Sequence, residues 1–206
     1  MPFICQEGIV NASERDARIR GFHTRALALL DADDGNGARR QEIADLLQEL
    51  ASTPGILPDV ALERLHDAGS TATILHQGED GRGALMLLRL PDTAPTPVHN
   101  HHTWGVAAVI SGRNRYWRWE RHGDLGDPDH ADLRLAEVFD HGPGHAVLWD
   151  DPPHDWHAQQ GLDGDAYEFV FFGRNPNLQP RAYFDPETGA ITYAMAANAM
   201  DQTTTP

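Results

Sequence analysis

With 206 residues, 40% of them hydrophobic and 23% charged, the chain has the make-up of an ordinary soluble globular protein and enough length to bury a core in a single functional unit. Its 31 acidic residues outnumber 16 basic ones, and the resulting net charge of −15 repels phosphate backbones and anionic lipid, so neither nucleic acid nor a membrane is an expected partner. No apolar run is long enough to span a bilayer, no basic-then-apolar leader opens the sequence, and the lone Cys5 forbids an intrachain disulfide or a thiolate cluster; a cytoplasmic address is expected, with any metal held by nitrogen and oxygen.

In chain order, Ser13-Glu14-Arg15-Asp16 reads as a helix start, and Ile19, Phe22, Ala26, Leu27, Leu29 and Leu30 recur at helical spacing. The run from Asp31 to Gly37 breaks that pattern. A second helix is predicted over 39–50, with Ile43, Leu46, Leu47 and Leu50 on one side, and a third over 59–68 after Pro54 and Pro58. Residues 1–70 thus read as a helical extension packed on a β domain. From Thr71 the texture changes to short apolar runs at 71–76, 84–90, 104–111, 115–121, 133–139, 145–149, 157–160, 167–173 and 190–193. Turns at Gly78-Glu79-Asp80-Gly81, Ser111-Gly112-Arg113-Asn114 and Asp185-Pro186-Glu187-Thr188-Gly189 separate them, which describes an all-β sandwich or barrel over 71–195. The tail 196–206 is expected to fray.

Pro97-Val98-His99-Asn100-His101-His102-Thr103-Trp104-Gly105 precedes the apolar run Val106-Ala107-Ala108-Val109. In an extended segment side chains at i and i+2 leave one face, so His99 and His101 project together while His102 leaves the other face, to cap or pack nearby. Two imidazoles on one face grip a divalent ion. Asp151-Pro152-Pro153-His154-Asp155-Trp156-His157 offers two further histidines after a turn, as closing a three-histidine site requires, and on spacing alone His154 and His157 compete for the third place.

This pattern resembles the two motifs of the cupin superfamily, whose fold is the double-stranded β-helix or jelly roll. His99, His101 and Gly112 match the first motif, with Gly105 or Val106 where a glutamate often stands; Gly144, Pro152 and His157 match the second, with His154 in place of an inner glycine. That alignment favours His157 as the third ligand. Without the glutamate the site is neutral, which narrows the resemblance to the thiol dioxygenases, meaning cysteine dioxygenase and especially 3-mercaptopropionate dioxygenase. The likeness covers about residues 70–193: the segment from Thr96 to Gly105, the Asp155-x-His157 step, and the stretch from Glu168 through Asp185 to the Thr188-Gly189 turn. The expected fold is therefore mainly β, a cupin jelly roll with N-terminal helices.

The resemblance implies Fe(II) on His99, His101 and His157, with O2 and a small thiol as substrates and a sulfinic acid as product. Neutral imidazoles keep the site's charge at that of the ion, which favours a thiolate. Arg181 falls where the mercaptopropionate-type enzymes hold the substrate carboxylate, while the cysteine-type arginine falls near Ala72. Two features depart from the family. Its Ser-His-Tyr triad is replaced by Glu168, Val170 and Phe172, and no cysteine stands near Val106 to cross-link a tyrosine.

Glu168 and His154 are then the candidate catalytic side chains, and Arg181, Trp104, Phe172 and Trp156 the candidate substrate-binding ones. A carboxylate near aromatic faces suits a carboxylate-bearing thiol with a cationic or heteroaromatic group. Each residue also has a plainer reading: a solvated Arg181, a Glu168 on a strand rim, and Trp104 and Trp156 as core, like the aromatic face of Trp117 and Trp119. Rival functions are a three-histidine cupin dioxygenase cleaving a C–C bond, as in a β-diketone, and a non-enzymatic metal-binding cupin. Zn, Ni, Mn and Cu also suit such a donor set.

Overall fold

The protein is seen here in a computed structural model, which describes residues 10–33, 37–67, 71–124 and 126–196. Cys5 and all of the expected frayed tail except Ala196 lie outside the described residues, and Ala196 itself is buried. Three helices come first: α1 (Ala12–Asp31), α2 (Ala38–Ala51) and α3 (Asp59–Asp67). A capping box starts α1, in which the Asn11 side chain accepts from the Glu14 amide while the Glu14 carboxylate accepts from the Asn11 amide. The start signal seen at Ser13 thus begins two residues earlier. Ile19, Phe22 and Ala26 of α1 and Ile43, Ala44 and Leu47 of α2 form one apolar cluster with Leu85, Leu87, Val106, Ala108, Phe169 and Phe171 of the strands. Within it the Phe22 and Phe171 rings meet edge to face at 5.7 Å.

Nine strands follow among the described residues: β1 (Ala72–His76), β2 (Arg82–Leu90), β3 (Val98–His99), β4 (Gly105–His122), β5 (Asp132–His141), β6 (Ala146–Trp149), β7 (His157–Arg174), β8 (Arg181–Phe184) and β9 (Ile191–Ala194). All their pairings are antiparallel. The first half of β4 lies between β6 and the second half of β7, which continues to β2 and β1. Its second half lies between β5 and the first half of β7, which continues through β3 to β8 and β9. Two sheets therefore share β4 and β7, each bent where it crosses from one sheet to the other. This is a jelly roll with three N-terminal helices, the fold class the sequence pattern predicts.

The corner explains where the strand forecast differs. Residues 105–111 and 115–121 belong to one continuous strand, as do 157–160 and 167–173, because the β4–β7 register jumps from Ser111↔Tyr167 to Arg113↔Leu162 without ending the ladder. Gly112 sits inside that jump at φ +79°, and a Cβ there would lie 2.6 Å from the Asp165 carbonyl oxygen. A left-handed glycine pressed on the opposite backbone reads as a turn in sequence and acts as a bulge in the fold. The two strands absent from the forecast, β3 and β8, are short and carry His99, Arg181 and Tyr183.

Candidate metal centre

His99 stands on β3 directly opposite His157 on β7, so the sheet register itself brings these two rings together, 4.8 Å between centroids. His101 comes next in a loop rather than on a strand. Two devices hold that loop in an extended path. Asn100 exchanges hydrogen bonds with Ala182 of β8, its amide donating to the Ala182 carbonyl and its Oδ1 accepting from the Ala182 amide, both at 3.1 Å. The buried Asp155 carboxylate accepts from the amides of His101 at 3.0 Å and His102 at 2.8 Å, where the chain turns with His102 at φ +56°. The His101 ring then lies 4.8 Å from His99 and 4.9 Å from His157. Burial raises the Asp155 carboxyl above its usual range, against the pull of those two amides.

The side chains fit a divalent ion. His99 Nδ1 lies 2.8 Å from the Pro97 carbonyl and His157 Nδ1 3.0 Å from the Asp155 carbonyl; a carbonyl only accepts, so both rings donate there and keep the Nε2 lone pair free. Nε2 of His101 and Nε2 of His157 are 3.2 Å apart. Nitrogens about 2.1 Å from a shared ion stand about 3.0 Å apart at a right angle and about 3.4 Å apart at a tetrahedral one. The ligand atoms of all three histidines lie within 4.8 Å of one another. Burial holds each ring in its neutral, ligating form: it pushes His99 down to about 4 and the other two well below their usual value, assisted by the nearby Arg181 charge and the neighbouring imidazoles.

A cavity of about 280 Å³ opens on His99 and His101, small enough to select a small ligand. Met86, Leu88, Leu90 and Pro97 make its apolar wall; Gln159, Arg181 and Tyr183 bring polar groups. Arg181 and Tyr183 share a face of β8 by strand alternation, and Tyr183 stacks beside His99 at 6.0 Å. Nη2 of Arg181 donates to Asn177 Oδ1 at 2.8 Å, whereas its buried Nε has no hydrogen-bond partner among the described residues. Phe172 packs on His101 at 4.8 Å, and Trp149 and Tyr116 lie against His157 at 5.3 and 5.2 Å, drying the far side of the site.

The remaining sequence candidates lie elsewhere. His154 is exposed in the turn before β7 and is not among the converging imidazoles, which makes His157 the third ring of the cluster. Trp104 is buried against Phe171, with the Arg40 guanidinium 5.1 Å from its ring centre, and Trp156 packs on Phe184; neither lines the cavity. Glu168 is fully buried and accepts from Asn114 Nδ2 at 2.5 Å and Gln159 Nε2 at 3.0 Å. Sequence reasoning did not single out Gln159, Tyr183 or Tyr116, and it quoted Asp155 only as part of the Asp155-x-His157 match. Two carried a signal, since Gln159 stands two residues after His157 and Tyr183 two after Arg181, each on the inward face of its strand.

No protein-family model matches the sequence, and no curated protein matches it. Solved cupin structures are similar to part of it. They include a cupin superfamily protein from Desulfitobacterium hafniense DCB-2, 13% identical over 50% of this chain and 76% of that one, with a TM-score of 0.36. An RmlC-like cupin protein from Ralstonia eutropha JMP134 is 16% identical over 63% of this chain and 69% of that one, with a TM-score of 0.40. A DMSP lyase from Ruegeria pomeroyi DSS-3 is 18% identical over 56% of this chain and 52% of that one, also with a TM-score of 0.40. Likenesses so distant speak to neither substrate nor reaction, and the chemistry of the site rests on its own residues.

Proposed function

We propose that this protein is a mononuclear non-heme iron dioxygenase that converts a small carboxylate-bearing thiol to its sulfinic acid. The observation that carries the reading is the juxtaposition of three buried, neutral imidazoles with a small cavity lined by the Arg181 guanidinium, whose Nε has no hydrogen-bond partner among the described residues. His99, His101 and His157 would hold Fe(II), which supplies a positive centre where thiolate and O2 meet. The residues around it do the rest. Arg181, steadied by Asn177, holds the substrate carboxylate in a planar, permanently charged fork and so orients the sulfur toward the histidines. Met86 and Leu88 exclude water from the sulfur, and Phe172, Trp149 and Tyr116 fix the imidazole planes. Both atoms of O2 go to sulfur, which loses four electrons as O2 gains four.

The test is metal analysis of anaerobically purified protein, followed by an oxygen-electrode screen of thiols and diketones with mass detection of the product. One O2 consumed per thiol and a gain of two oxygen atoms is the expected result. Uptake with diketones alone, or stoichiometric iron without uptake on any substrate, rejects this reading.

A further inference from the structure

The jelly roll buries a polar cluster that the iron chemistry does not use, and its geometry reaches the cavity through one side chain. Glu168 of β7, with none of its surface exposed, receives two amide groups: Nδ2 of the equally buried Asn114 and Nε2 of Gln159. His141 approaches the same carboxylate, Nε2 to Oε1 at 3.6 Å. A carboxylate presents only acceptors, so each amide must turn its NH2 toward Glu168 and its carbonyl oxygen away. For Asn114 the consequence is a buried Oδ1 with no partner among the described residues. For Gln159, on the same inward face of β7 as His157 and on the wall of the cavity, Oε1 accepts no hydrogen bond among the described residues. The Gln159 backbone is pinned as well, its amide donating to Thr96 Oγ1 and its carbonyl accepting from the Thr96 amide. The side chain is thus fixed at both ends.

We propose that Gln159, locked in one amide orientation by Glu168, is a specificity-determining residue that presents a hydrogen-bond acceptor to the ligand, so that the preferred ligand is a small carboxylate bearing an O–H or N–H donor. Arg181 reads the acid and Gln159 reads the donor. Glu168, remote from the ligand, is a positioning residue that works through Gln159. This rests on the cavity being the substrate site of the proposed function, but not on the substrate being a thiol. A ligand without a donor would strip water from Gln159 Oε1 and return nothing, the asymmetry that makes polar recognition selective.

The experiment is anaerobic calorimetric titration of the Fe(II)-loaded protein with two ligand pairs, 3-mercaptopropionate against 3-mercaptolactate, and butyrate against 4-aminobutyrate. The donor-bearing member of at least one pair is expected to bind about tenfold more tightly. Gln159→Leu should remove that preference, and Glu168→Gln, which frees the amide to turn, should reduce it. Thermal melts of each variant confirm folding, and Gln159→Met, which also removes the acceptor, takes the place of the leucine variant should that one fail to fold. Equal binding within both pairs, no binding of any of the four, or a preference that survives Gln159→Leu overturns the proposal. Failure of the thiol reading looks different: no oxygen uptake with thiols, while the aminobutyrate preference and its loss in the leucine variant persist.

Discussion

At the scale of single residues, Asp155 decides where His101 stands. It is two positions from His157, whose Nδ1 it fixes through its own carbonyl, while its carboxylate ties down the amides of His101 and His102. Asp155→Ala would leave one buried and one partly buried N–H without an acceptor, at a cost of about 1–3 kcal/mol each. The expected outcome is a lower melting temperature and metal affinity about tenfold to a hundredfold weaker by competition with a chelator; unchanged affinity would show that the loop holds itself. The histidines carry a pH signature. Unfolded, each takes a proton near 6.5; folded, burial resists it, in His99 down to about 4. Between those values the unfolded chain binds more protons, so the metal-free protein loses stability as pH falls from about 6.5 to 4. Urea midpoints across that window should decline, and less steeply in His99→Gln; a flat profile would contradict the buried neutral cluster. Spacing made His99 and His101 legible in the sequence and the cupin resemblance added His157, whereas Gln159 looks like any surface polar residue until its burial is known, and Asp155 showed only as part of a motif match.

At the scale of elements, the corner shared by β4 and β7 sets the relation of the two sheets, and with it the approach of His157 to Trp149 across the interior. Gly112 occupies the left-handed conformation there, with no room for a Cβ beside Asp165 and Ala166. Gly112→Ala combines backbone strain of about 1–3 kcal/mol with a clash against main chain. A fall of several degrees in melting temperature is the expected result, and an unchanged melt would mean that the corner relaxes freely. The helices were readable almost to the residue, since an apolar stripe with caps is a local signal. The strand breaks around Gly112 and after Gln160 were placed correctly in the chain but belong to bends rather than ends. Short β3 and β8 left no periodic trace, because two and four residues are too few to show one, and their existence depends on partners far away in sequence.

At the scale of the whole molecule, the site exists only once the roll is closed. His99 and His101 come from one side of a crossing whose other side, 56 residues after His101, delivers His157. Packing joins the helices and the outer face of one sheet into a single apolar cluster, while the opposite face of that sheet contributes Met86, Val170 and Phe172 behind the cavity. The fold class and the convergence of the three histidines were therefore open to sequence, but the cavity's polar wall was not, since it is assembled from strands that meet only in the fold. The most direct measurement is an anaerobic calorimetric titration of the metal-free protein with Fe(II), beside His99→Ala, His101→Ala, His157→Ala and His154→Ala. One ion per chain is expected, with affinity weakened about tenfold or more in each of the first three variants and retained in the fourth. No stoichiometric binding by the wild type, or a loss in His154→Ala equal to that in His157→Ala, would contradict it.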